Sequence, residues 1–135
     1  MTERYRDIAH LGAVELCTPR LKDSVWFFHD ILGMEISHED RSSVWLRGYG
    51  DFAAATLKLT AAPDAGVGTI AWRTVGPEAL QRRVAEIEAA GLGDGWTNGD
   101  YGRGPSYRCH DPEGHRIEVY WTEEKYRPTD ATRSQ

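Results

Sequence analysis

The chain has little cysteine: only Cys17 and Cys109, set too far apart for a C-x-x-C metal or redox motif. A disulfide framework is therefore not expected, and both thiols read as reduced residues of a cytoplasmic protein. A chain of 135 residues buries enough surface on folding to need neither a disulfide nor a structural metal. Long apolar runs are missing as well. None approaches the roughly 18 residues of a membrane span, and the polar start MTERYRD is unlike a signal peptide. Basic excess is also lacking: the formal net charge is −5 and lysine and arginine form no run, which argues against nucleic acid and anionic membranes as partners. What remains is the composition of an ordinary globular domain, and composition names no activity.

Residues 8–16, IAHLGAVEL, read as a strand that stops at Thr18-Pro19. Asp23 or Ser24 is placed to cap a helix whose Val25, Phe28, Ile31 and Leu32 recur at helical spacing, with Gly33 as its stop. SHEDRSS reads as a polar break, VWLRG and DFAAATLKLT as strands, and AAPDAGVG as a loop. The order then restarts with the strand GTIAWRTV and the helix PEALQRRVAEIEAAG, which opens on Pro77, turns Leu80, Val84 and Ile87 inward and ends at Gly91. SYRCH and HRIEVYWT follow as strands around the turn Asp111-Pro112-Glu113-Gly114. The glycine-rich GWTNGDYGRGPS reads as a loop and not a phosphate cradle, because no helix follows it.

Two halves of the same element order imply a duplication. An offset of 59 to 60 residues lays His10 on Thr69 and Lys58 on Glu118. Strand alternation turns Ile117 and Val119, Ile70 and Trp72, Leu57 and Leu59, and Leu11 and Ala13 toward the helices. The opposite face then carries Glu118 and Tyr120, Thr69 and Arg73, Lys58, and His10, Gly12 and Val14. Trp26 and Trp72 read as core. Trp45, Arg47, Tyr107, Arg108 and Tyr120 are candidates for the rim of a small-molecule pocket, although parity allows only one of Tyr107 and Arg108 to point inward.

HLGAVEL with VWFFHDILGMEI, then AGVGTIAWRTV, and finally DPEGHRIEVYW resemble the vicinal oxygen chelate superfamily of glyoxalases, bleomycin-resistance proteins and extradiol dioxygenases. The resemblance spans residues 8–122 and is strongest to the N-terminal domain of catechol 2,3-dioxygenase-type enzymes. It implies an α+β fold of two βαβββ modules, about 8–62 and 67–122, whose mixed sheet curls into a cup with the helices outside. A polar tail, 123–135, follows.

In metal-binding relatives the resemblance implies two histidines and a glutamate around a divalent ion, leaving positions open for substrate. Carried over, the ligands are His10 and Glu118. Thr69 stands where the second histidine belongs, and Lys58 fills the place of a fourth ligand without a lone pair to offer. No cofactor is therefore expected, and Lys58 is expected to pair with Glu118 in place of a cation. The expected pocket comprises His10, Trp45, Lys58, Thr69, Arg73, Tyr107, Glu118 and Tyr120. His29, His38, His110 and His115 are expected to be structural or on the surface. The implied role is a non-catalytic subunit or a binder of a small aromatic molecule, paired as a homodimer or with a catalytic dioxygenase domain. The alternative is an Fe(II)- or Mn(II)-dependent dioxygenase or lyase that completes its site from another chain.

Overall fold

In the computed structural model the described residues are 6–123. The chain opens with β1 (Ile8–Thr18), followed by a helix that starts as α1 (Leu21–Val25) and continues with π-helical geometry over Trp26–Ile31. Then come β2 (Glu35–Glu39), β3 (Ser43–Arg47) and β4 (Leu57–Ala61). The second half is β5 (Gly66–Thr74), α2 (Pro77–Ala89), β6 (Gly93–Thr97), β7 (Ser106–His110) and β8 (Arg116–Tyr120). One open mixed sheet holds all eight strands in the order β2-β3-β4-β1-β5-β8-β7-β6. Within each half the first strand runs parallel to the last, β1 to β4 and β5 to β8. Antiparallel pairing of β1 with β5 joins the halves about a pseudo-twofold axis. This is the α+β architecture of two βαβββ units. The expected tail lies outside the described residues apart from Glu123, which bridges Arg103.

Each helix covers its own half of the sheet. Under α2, Leu80 and Val84 pack with Tyr107, Cys109 and Val119, while Trp72, Ile87 and Ile117 close the margin. Under α1, Val44, Leu46 and Leu59 meet Leu16, Leu21, Val25 and Phe28. Both helices stop at a glycine in the left-handed region, Gly33 at φ 78° and Gly91 at φ 74°, a conformation that a Cβ would strain. Asp7 ties the start of β1 to α2 through Arg82 and Arg83, each 2.8 Å away. The Arg82 hydrogen bond leads in holding the Asp7 carboxyl below the usual range, against the opposing effect of burial.

Five local expectations fail. SHEDRSS and GWTNGDYGRGPS contribute to β2 and β6, which are the two edges of the sheet. An edge strand tolerates polar and glycine residues, so its hydrophobic alternation is weak. The strand read into DFAAATLKLT shrinks to Leu57–Ala61. The first helix begins at Leu21, so neither Asp23 nor Ser24 caps it; the Thr18 hydroxyl instead accepts from the Arg20 N–H at 3.0 Å and from the Ser24 hydroxyl at 2.9 Å. Its widened turn, marked by Leu32 N–H donating to the Phe27 carbonyl at 2.9 Å, carries later residues off the buried face. Ile31 and Leu32 are consequently exposed, and Trp26, beside the Leu21, Val25 and Phe28 stripe that packs on the sheet, is exposed too and is not core.

Candidate ligand site in the cup

The face of the sheet away from the helices lines a cavity of about 340 Å³. Its first row follows strand register. Trp45 on β3 pairs with Lys58 on β4, and Lys58 pairs with Glu15 on β1. Glu15 sits at an irregularity where β1 and β5 fall out of step between Val14 and Leu16. Its carboxylate accepts from the Thr69 N–H at 3.1 Å and from the Thr60 hydroxyl at 2.7 Å. Gly68 makes this possible, since a Cβ there would lie 2.2 Å from Glu15 Oε1.

The second row comes from the other half. Ala71 on β5 pairs with Glu118 on β8, which pairs with Arg108 on β7. Glu118 is buried, and its carboxylate is held by Arg103 Nη2 at 3.0 Å and Arg108 Nε at 3.5 Å.

The β6–β7 connection spans the two rows. Asp100 on this segment accepts from Lys58 Nζ at 2.9 Å and from Trp45 Nε1 at 3.4 Å, and Arg103 reaches Glu118. Tyr101 stacks on His38, their ring centres 4.5 Å apart, and its hydroxyl donates to the Ser37 carbonyl. Burial pushes the Asp100 carboxyl up. The Lys58 hydrogen bond, the Tyr101 N–H and the Lys58 and Arg103 charges outweigh that and hold it below the usual carboxylate range.

The expected pocket residues separate into three groups. Lys58, Thr69 and Glu118 line the cavity together. Trp45 lies under Lys58, whose ammonium is 4.8 Å from the indole centre, and Tyr120 is buried with Arg103 over its ring. His10 and Arg73 line a second cavity with Asp51 and Thr56. Three expectations are corrected outright. Tyr107 is on the helix side, buried against Leu80 and Val84, and Arg108 takes the inward position. Lys58 pairs with Asp100 and, at 3.8 Å, with Glu15; Glu118 is neutralised by arginines instead. Arg47 does not reach the rim. It is buried, pairs with Glu35 at 2.8 Å and braces the Asp51 carbonyl.

Glu15, Asp100 and Arg103 went unrecognised in the sequence. Simple alternation puts Val14 inward, but the irregular register of β1 brings Glu15 to the cavity while Leu16 packs under α1. Asp100 and Arg103 sit on a connection without periodicity, so nothing local marks them.

The donor set does not fit a divalent cation. His10 and Glu118 border different cavities, and their rows are offset along the sheet: His10 is level with Arg73 and Tyr120, Glu118 with Ala71 and Ala13. Thr69 offers a hydroxyl in place of an imidazole, and two guanidinium groups occupy the Glu118 oxygens. Among the described residues no group of three His, Cys, Asp or Glu side chains comes together as a metal site.

The Glyoxalase/Bleomycin resistance protein/Dioxygenase superfamily matches residues 8–119. Metapyrocatechase from Geobacillus stearothermophilus is 46% identical over 122 residues, covering 90% of this chain and 37% of that protein. A manganese-dependent 2,3-dihydroxybiphenyl 1,2-dioxygenase from Geobacillus genomosp. 3 is 35% identical over 130 residues, covering 95% of this chain and 41% of that protein. Among solved structures, homoprotocatechuate 2,3-dioxygenase from Brevibacterium fuscum in complex with 3,4-dihydroxyphenylacetate superposes with a TM-score of 0.84. Its identity is 28%, covering 90% of this chain and 39% of that one. The chain thus spans about two-fifths or less of the length of these relatives.

Proposed function

The chain belongs to the glyoxalase/bleomycin resistance protein/dioxygenase superfamily, and from that premise we propose that it is a non-catalytic cup domain of the extradiol dioxygenase kind. It binds a small molecule in the cup, holds no metal of its own, and works beside a metal-bearing dioxygenase domain or as a homodimer. The observation that carries this reading is the set of ion pairs in the cup. Lys58–Asp100 and Arg103–Glu118 occupy the ground where metal-binding relatives are expected to place ligands. An arginine-paired carboxylate is a poor metal ligand, because the cation must displace a guanidinium and strand its charge.

This reading treats residues 1–135 as one domain of two modules, about 8–62 and 67–122, with a polar tail, 123–135, in the cytoplasm. No helix among the described residues is long and apolar enough to cross a membrane. The test is metal analysis of protein expressed in iron- and manganese-supplemented medium, with a spectrophotometric assay of catechol ring cleavage on the same sample. The expected result is substoichiometric metal and no cleavage. One equivalent of metal with turnover by the chain alone overturns the proposal.

The 46% identity to metapyrocatechase favours a second reading. In it the chain is part of an active Fe(II)- or Mn(II)-dependent dioxygenase whose ligands lie on another chain, and metal and turnover appear only when that chain is added.

A further inference from the structure

The cavity offers donors where a ligand would enter. Lys58, Arg103, Arg108 and Arg116 bring four cationic groups to its wall. Only three carboxylates, those of Glu15, Asp100 and Glu118, stand against them. The carboxylates are already engaged: Glu15 by Thr60 and Thr69, Asp100 by Lys58 and Trp45, Glu118 by two arginines. Lys58 is engaged as well, but the three guanidinium groups keep donors to spare. Arg103 Nε is buried without a hydrogen-bond partner among the described residues. Arg108 is 63% exposed and spends one nitrogen on Glu118 at the long distance of 3.5 Å. Arg116 is exposed and belongs to no ion pair among the described residues. A buried N–H without an acceptor is costly, and a guanidinium fork matches a carboxylate in shape and charge.

Resting on the reading of the cup as a metal-free ligand site, we infer that the cavity takes a small organic acid. Its carboxylate meets Arg116 and Arg103, and its hydrocarbon body lies against Ala13. The volume of about 340 Å³ suits a ring-sized body and is far more than an inorganic oxyanion fills.

Benzoate is the probe, with benzamide as its uncharged counterpart and inorganic phosphate as the oxyanion without a body. Titrations are followed by backbone amide shifts of the full chain. Benzoate should saturate and move Thr69, Arg108, Arg116 and Glu118, while benzamide should move none of them. Arg116→Gln, a change on an exposed side chain, should weaken benzoate at least tenfold, and Arg116→Lys should recover part of the loss. Absence of saturation by about 20 mM benzoate, equal shifts with benzamide, or phosphate binding as tightly as benzoate each overturns the inference, the last two because the site would be blind to charge or to the hydrocarbon body. Metal content and catechol cleavage are read on the same sample. Failure of benzoate without metal or turnover sinks this inference alone, whereas metal with turnover sinks the non-catalytic reading.

Discussion

Replacing Lys58 with methionine keeps the aliphatic stem over Trp45 and removes the ammonium that joins the two halves of the site. In the native protein Nζ is 2.9 Å from Asp100 and 3.8 Å from Glu15, with the side chains of Lys58 and Asp100 23% and 26% exposed. That places the pair between exposed ion pairs, worth about 0.2–1 kcal/mol, and buried pairs, where deleting one partner costs about 3–5 kcal/mol. Lys58→Met should therefore destabilise the fold by about 1–3 kcal/mol at pH 7. For a chain of this size each kcal/mol lowers Tm by about 3–5 °C. The pH dependence has a definite sign. Because the folded Asp100 carboxyl is held below its ordinary value, its contribution is complete above about pH 4 and is lost as pH falls through the folded value. The difference between native and variant should thus shrink from pH 7 toward pH 3. Urea unfolding followed by tryptophan fluorescence measures it at each pH. A difference of equal size at pH 7 and pH 3 would refute the ion-pair account and leave the contact of the ammonium with the Trp45 ring as the cause.

Three further changes probe other parts of the structure. Gly12→Ala puts a methyl 1.8 Å from the hydroxyl oxygen of buried Tyr120, so it should cost about 1–3 kcal/mol in chemical denaturation. Tyr120→Phe should recover only part of that cost, because the ring carbon Cζ remains 2.8 Å away. Leu46→Ala, at a fully buried position under α1, should lose about 2–5 kcal/mol with the m-value unchanged. Asp7→Asn should lower Tm at pH 7 by loosening the contacts to Arg82 and Arg83. Since the native carboxyl is depressed, that deficit should be complete above about pH 4 and shrink as pH falls further through the folded value, as scanning calorimetry will show.

The amino-acid sequence alone determined the broad architecture, because burial under a helix leaves a periodic trace. Leu80, Val84 and Ile87 at helical spacing, and Ile117 alternating with Glu118 and Val119, have the same faces in the structure as in the pattern. The glycine stops at Gly33 and Gly91 were equally legible, since positive φ is a local demand met by residue type. Tertiary structure decided the rest. The edges β2 and β6 gain their partners from β3 and β7 and need little hydrophobic alternation of their own. The irregular pairing of β1 with β5 moves Glu15 into the cup, and a register fault is a property of two strands together. The choice of ion-pair partners was also a matter of three-dimensional reach. Lys58 and Glu118 occupy equivalent places in the two halves, yet the β6–β7 connection sets Asp100 beside one and Arg103 beside the other. Forty-two residues separate Lys58 from Asp100, and no local pattern links them; only the folded sheet brings the carboxylate within hydrogen-bond distance of the ammonium.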